Sequence, residues 1–368
     1  MIRDIQIDGQ DLDDDYSDDS LFSITSWGAD LSFRELIEMY NEEELIKPEL
    51  QRNYVWERKE ASRFIESILM GLPIPSIFLA VQKSQKLIID GYQRLMTVRD
   101  YVDGVFTKDN KVFKLVNTDV INERWRGKTF KELSTEDQRK IKSTTIHAIL
   151  FEQKHPREGD TSMYQIFERI NTGGRTLTPQ EIRNCVYQGS FNKLLLRLNK
   201  NEIWRKLLGT PVSDSRMKDI ELILRFFVMI SDDIQKYTGN QISLKKELNV
   251  FMEKHVQDDS EMIANFEKKF VETITSINDT LGKNAFNNYT NGRYAKSLNP
   301  PIFDAVSVAY FNAIRDKKHI SNVPDENHKK LLLNNEFQHA ISERTTNMDS
   351  IKSRINLANK FLIEEDND

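Results

Sequence analysis

Two short apolar runs separated by a polar turn constrain this chain most. Ile77-Phe-Leu-Ala-Val81 and Lys86-Leu-Ile-Ile-Asp90 are too short for stable helices, rich in β-favouring residues, and joined by Gln82 to Gln85. They read as neighbouring strands. Helical patterns flank them. Leu31 to Tyr40 has apolar residues at helical spacing, with Asp30 or Ser32 as its cap. Lys59 to Met70 is amphipathic and stops at Gly71. A further helix runs from about Arg94 to Val102 and ends near Gly104. Between 105 and 145 the pattern gives short strands and a helix around Glu136 to Lys142, then a strand over Thr144 to Phe151. Strands mixed with helices make this half α/β (α+β).

Beyond the charged stretch Glu152 to Thr161 the periodicity turns helical. Met163 to Ile170 is a helix broken by Asn171-Thr-Gly-Gly174. Thr178-Pro-Gln-Glu181 starts the next one, with Thr178 capping, Pro179 in the first turn and Glu181 closing a capping box. Helices are also expected over Phe191 to Leu198, Asp219 to Ile230, Leu244 to His255, Ser260 to Leu281, Pro301 to Arg315 and Met348 to Glu364. The expected organisation is an acidic tail over 1–20, an α/β domain over 21–155 and a mostly helical domain over 156–368. The tail follows from charge: the first fifty residues hold 15 Asp/Glu against three Lys/Arg, with six aspartates between Asp11 and Asp19.

Composition excludes some chemistry. A single cysteine, Cys185, allows no disulfide within the chain and no cysteine-based zinc site. No apolar run is long enough to span a membrane, so a cytoplasmic protein is expected. The net charge of −5 does not advertise a nucleic-acid binder, although Ile121 to Ile220 carries 19 Lys/Arg against 12 Asp/Glu.

Three polar segments interrupt the apolar pattern. In Asp90-Gly91-Tyr92-Gln93-Arg94 a buried strand delivers an acid and a glycine to the start of a helix. The helix N-terminus offers backbone N–H groups to an anion, Arg94 can grip phosphate oxygens, and Asp90 can hold a hydrated Mg²⁺ or orient a water. In Gln51-Arg52-Asn-Tyr54-Val-Trp56, strand alternation sets Arg52, Tyr54 and Trp56 on one face, suited to a phosphate and a base. In Phe167-Glu-Arg-Ile-Asn-Thr-Gly-Gly174, two glycines let a loop present N–H groups. Each alone also reads as ordinary structure: an Asp-Gly turn, an aromatic packing face, a helix stop.

Together, "PELQRNYVW", "FIESILMGLPIPSIFL", "IIDGYQRLMTV", "FERINTGGRTLTPQEIRN" and "DIELILRFF" occur in an order that resembles one family. It is the ParB/sulfiredoxin-like nucleotidase family found at the N-terminus of GmrSD modification-dependent restriction enzymes. The resemblance spans roughly residues 22 to 230. The family's Asp-Gly-Gln-Gln-Arg motif is matched by Asp90, Gly91, Gln93 and Arg94, with Tyr92 where Gln is usual. The resemblance implies a ParB/sulfiredoxin-like domain that binds and hydrolyses a nucleoside triphosphate with Mg²⁺. Asp90, Gln93 and Arg94 would be catalytic, and Asp90 would hold the metal. Gln51, Arg52, Tyr54, Gly91, Tyr92, Thr97, Arg169, Asn171, Gly173 and Gly174 would line the nucleotide.

Neither a sulfiredoxin cysteine in the phosphate motif nor a paired-histidine nuclease motif is present in the sequence, so a separate effector nuclease is the expected partner. DNA and a second copy of the chain are further possible partners. Two alternatives stand beside this one: a DNA-binding module that uses nucleotide only as a ligand, and a nuclease with metal held by Asp90 and Glu66 or Asp100.

Overall fold

The computed structural model describes residues 24–47, 56–82, 84–153, 161–170 and 177–364. The acidic stretch Asp11 to Asp19 lies outside them. The first half runs β1 (Ile24–Ser32), α1 (Phe33–Asn41), β2 (Leu45–Ile46), α2 (Arg58–Met70), β3 (Ile77–Gln82), β4 (Gln85–Asp90) and α3 (Tyr92–Asp103). A two-stranded hairpin, β5 (Val105–Phe106) and β6 (Lys111–Val112), follows, then α4 (Thr135–Ser143) and β7 (Thr145–Gln153). Local chemistry explains most boundaries. Ser32 caps α1: its Oγ accepts from the Glu35 N–H at 3.3 Å, and the Glu35 carboxylate accepts from the Ser32 N–H at 2.7 Å. Gly71 ends α2 in the left-handed conformation.

Five strands make one mixed sheet in the order β1-β7-β3-β4-β2. β1 is antiparallel to β7, β7 parallel to β3, β3 antiparallel to β4, and β4 parallel to β2. β1 is not foreseen by the sequence reading, because Gly28 and Asp30 are poor strand formers and most of its residues are exposed. Its pairing with β7, from Ile24 opposite Gln153 to Ser32 opposite Thr145, makes it a strand.

The centre of the sheet is buried on both faces. Ile77, Leu79, Ile88, Ala148 and Leu150 point into a core shared with α1 to α4. Ala80, Leu87, Ile89 and Phe151 point into a second core shared with the helical half. The period of two in a strand sends alternate residues to opposite cores.

The second half is largely helical, as expected. It comprises α5 (Ser162–Ile170), α6 (Pro179–Val186), α7 (Ser190–Leu198), α8 (Glu202–Leu207), α9 (Lys218–Met229), α10 (Asp232–Gln235), α11 (Leu244–Lys254) and α12 (Ser260–Thr280). A hairpin of β8 (Asn287–Thr290) and β9 (Arg293–Leu298) precedes α13 (Pro300–Asp316), α14 (Pro324–Leu333), α15 (Asn335–Ser342) and α16 (Met348–Leu362). The Thr178 capping box forms as read, with the Thr178 N–H donating to Glu181 at 2.6 Å. The hairpin was not read from the sequence. Asn291 and Gly292 at its turn both take positive φ, 52° and 75°, the requirement of a tight two-residue hairpin loop.

Helix α9 organises this half through charges set in an apolar helix. Asp219 receives Arg205 of α8 at 2.9 Å, and Glu221 receives the buried Arg183 of α6 at 2.9 Å. Arg225 grips Asp304 of α13 through two bonds of 2.6 and 2.8 Å, and Arg354 of α16 adds a third at 2.8 Å. The Asp304 and Arg354 side chains are fully buried. Asp304→Ala, which leaves two guanidinium groups facing each other in the core, is expected to lower the unfolding free energy by about 3–5 kcal/mol in urea titrations.

His328 on α14 is buried beside the Tyr294 ring, 6.2 Å away and nearly parallel. Burial disfavours its charged form and lowers its pKa from 6.5 to about 4, outweighing Asp325 and the Ala285 backbone. The unfolded chain therefore binds more protons than the folded one between these values. Stability is full above pH 6.5 and falls as pH drops towards 4, by roughly 3 kcal/mol from this group. His328→Gln is expected to flatten that part of the stability–pH curve measured by chemical denaturation.

Candidate functional site

The polar turn after β4 is built by a close approach. Gly91 has φ of +106° and forms the N-cap of α3. A Cβ at this position would stand 2.2 Å from Ile77 Cγ2 and 2.8 Å from Ile77 Cβ. Glycine is thus required twice, by conformation and by space. Ile77 begins β3 and Asp90 ends β4, and because the two strands are antiparallel these ends lie side by side.

Asp90 closes the strand, and Arg94 returns one helical turn later to pair with its carboxylate. The pair is accessible, with side-chain exposures of 37% for Asp90 and 13% for Arg94. The N-terminus of α3 has no side-chain cap and no acidic residue in its first turn. That leaves the positive end of the helix available to an external anion. Gln93 Oε1 accepts from the Trp56 backbone N–H at 3.3 Å, and Trp56 itself packs edge-on against Phe64 of α2, 5.5 Å between centroids.

Asp90, Gly91, Gln93 and Arg94 are therefore brought together in one turn. Tyr92 and Thr97, read as nucleotide-lining, face inward. Tyr92 is 8% exposed, and burial and a hydrogen bond to Tyr40 of α1 hold its hydroxyl well above the ordinary phenol range. Thr97 is fully buried and donates to the Gln93 carbonyl at 2.7 Å, which stiffens the first turns of α3. Arg169 stands exposed in the last turn of α5. Gln51, Arg52, Tyr54, Asn171, Gly173 and Gly174 lie outside the described residues.

Both residues that border the segment holding Gln51, Arg52 and Tyr54 touch the turn. Trp56 does so through Gln93, and Lys47 places its Nζ 4.8 Å from the centroid of the Tyr92 ring. The sequence reading did not single out Lys47. Its only signal there is a cation at the end of a strand, next to Pro48.

The GmrSD restriction endonuclease N-terminal domain is the family whose model matches residues 33–188. The match begins at α1 and ends after α6, so it includes the β4–α3 turn, α1 to α4, and only α5 and α6 of the helical half. It is narrower than the resemblance read over 22 to 230, and the helices from α7 onward lie beyond it. No curated protein matches the chain. The GmrSD-type segment points to a component of a restriction system.

The carboxylates considered for a nuclease in the GmrSD-type segment are engaged in structure. Glu66 accepts the Asn122 N–H at 2.6 Å, and Asp100 accepts the Thr107 N–H and hydroxyl, each at 2.7 Å. Among the described residues no three His, Cys, Asp or Glu side chains converge as a metal-holding group. The basic excess over 121–220 is partly internal, since Arg183 and Arg205 are buried in ion pairs. Among the described residues no helix is long and apolar enough to cross a membrane.

Gly91→Ala is expected to cost about 2–4 kcal/mol of stability, from the positive φ and the clash with Ile77 together. Adding Ile77→Ala removes the 2.2 Å contact with Cγ2 but leaves the contact with Cβ and the backbone strain. The double variant should then show a coupling energy in a denaturation cycle.

Proposed function

We propose that this chain is a nucleoside-triphosphate-binding and -hydrolysing subunit of a restriction or anti-phage system, acting with a separate effector nuclease. The observation that carries it is the accessible Asp90–Arg94 pair astride Gly91 at an uncapped helix N-terminus. Phosphate oxygens would take the backbone N–H groups of the first turn of α3, where the helix dipole favours negative charge. Arg94 would neutralise phosphate charge, with its planar fork suited to two oxygens at once. Gln93, fixed by the Trp56 N–H, would orient the attacking water.

The donor set fits Mg²⁺. A single exposed carboxylate, Asp90, is what this ion takes when phosphate oxygens and waters supply its remaining ligands. Bound there, Mg²⁺ would screen the phosphate charge. Gln51, Arg52, Asn171, Gly173 and Gly174 join the site on the strength of the resemblance. Tyr92 departs from the family motif and, facing Tyr40 and Lys47, serves the turn from beneath.

The test is Mg²⁺-dependent phosphate release from ATP, GTP, CTP and UTP, with and without DNA. Arg94→Ala and Asp90→Ala are each expected to slow release by about 100-fold, the scale of losing one charge-stabilising group. Wild-type rates in both variants overturn the assignment. Nucleotide binding without release in the wild type moves the chain to a binding module.

A further inference from the structure

We propose that Lys47 is a phosphate-binding residue of the same site, a second cation beside Arg94. The inference rests on the nucleotide reading and adds a residue that neither the motif nor the family match assigns. It starts from topology. β2 and β4 are parallel neighbours with Ile46 beside Leu87, so Lys47 leaves β2 short of the Asp90 end of β4 and its long side chain runs on in the same direction as that strand. Lys47 follows β2 as Asp90 and Gly91 complete β4 and turn into α3. Ligands of open α/β sheets gather outside the carboxyl ends of such strands.

The side chain then supplies the chemistry. Lys47 Nζ lies over the ring of Tyr92, the first residue of α3, at 4.8 Å from its centroid. The ammonium is half-buried, and no carboxylate of the described residues lies within ion-pair distance. Arg94, by contrast, is balanced by Asp90. Lys47 and the Cys185 thiol of α6 are close enough to influence each other's ionisation, but burial pushes that thiol up to about 12, so it stays neutral and supplies no counter-charge. The aromatic face offsets part of the lost hydration, and among the described residues no carboxylate balances the charge. A flexible ammonium next to the helix N-terminus suits a polyphosphate, which Lys binds as a point charge.

The experiment titrates the full chain with sodium tripolyphosphate and with ATP, following binding by calorimetry and the thermal midpoint without ligand. Lys47→Met keeps the stem and removes the charge. It is expected to weaken both ligands by about tenfold or more, the worth of one charge-assisted contact, while the ligand-free midpoint holds or rises. Lys47→Arg should retain most of the affinity. Wild-type affinity in Lys47→Met overturns the role of Lys47 and leaves the site standing if Arg94→Ala still weakens binding. A fall in the ligand-free midpoint with no rescue by Lys47→Arg assigns Lys47 to structure and overturns the inference. No binding of tripolyphosphate or of any of the four nucleotides by the wild type overturns the site and this inference together.

Discussion

Burial of β3 and β4 on both faces decides where chemistry can occur in this molecule. Strand residues alternate between two cores, Ile77, Leu79 and Ile88 to one and Ala80, Leu87 and Ile89 to the other. A slip of one residue would exchange the two sets, so the register is strongly specified. It also leaves no room for a polar side chain in the middle of the strands. Charge is admitted only towards the strand ends, at Lys86 and Asp90 of β4, and the Asp90 end is fixed by the contact between Gly91 and Ile77. The Asp90–Arg94 turn is thus placed by packing, and its position inherits the rigidity of both cores.

The helical half is specified differently. Its helices could bury apolar stripes against several neighbours, and packing energy alone distinguishes such arrangements weakly. Asp219, Glu221 and Arg225 each have a partner on a different helix. Buried ion pairs contribute little net stability against well-packed apolar groups, but a misplaced neighbour leaves a bare charge in the core at a cost of several kcal/mol. The "DIELILRFF" segment, which lies beyond the family match, carries these charges and so sets which helices surround α9. The charges of α9 thus mark an architectural constraint, while the β4–α3 turn marks the candidate chemistry.

What the sequence disclosed follows the same division. Elements fixed by local chemistry were legible: the Ser32 and Thr178 caps, the Gly71 stop, the two apolar strand runs, the long helices. Elements fixed by pairing were not. β1 is held by β7 against its own composition. The β8–β9 turn does announce itself as Asn291-Gly292, but the flanking alternation is thin, and the signal is easily passed over. Within the site, the acid, glycine and arginine were legible, and the inward direction of Tyr92 and Thr97 was not. The sequence reading starts α3 near Arg94, whereas Gly91 acts as its cap and the helix begins at Tyr92. Two more residues of helix bring Tyr92, Leu95 and Met96 onto the buried side, with Gln93 and Arg94 left part-exposed.

Bulk charge misleads about this rim. The first fifty residues hold 15 of the chain's 57 acidic groups and three of its 52 basic ones, so the remaining 318 carry seven more basic than acidic groups despite a net charge of −5. Screening at physiological salt confines electrostatic influence to about 8 Å, so an anion at the turn responds to the groups lining it rather than to the total. There Asp90 and Arg94 cancel each other, while among the described residues no carboxylate pairs with Lys47. A phosphate that engages Arg94 must compete with Asp90, and a carboxylate so displaced becomes available to a cation. Anion and cation would then reinforce each other's binding at one turn, which is the behaviour expected of a site for a metal–polyphosphate complex and not of one for a lone monovalent anion.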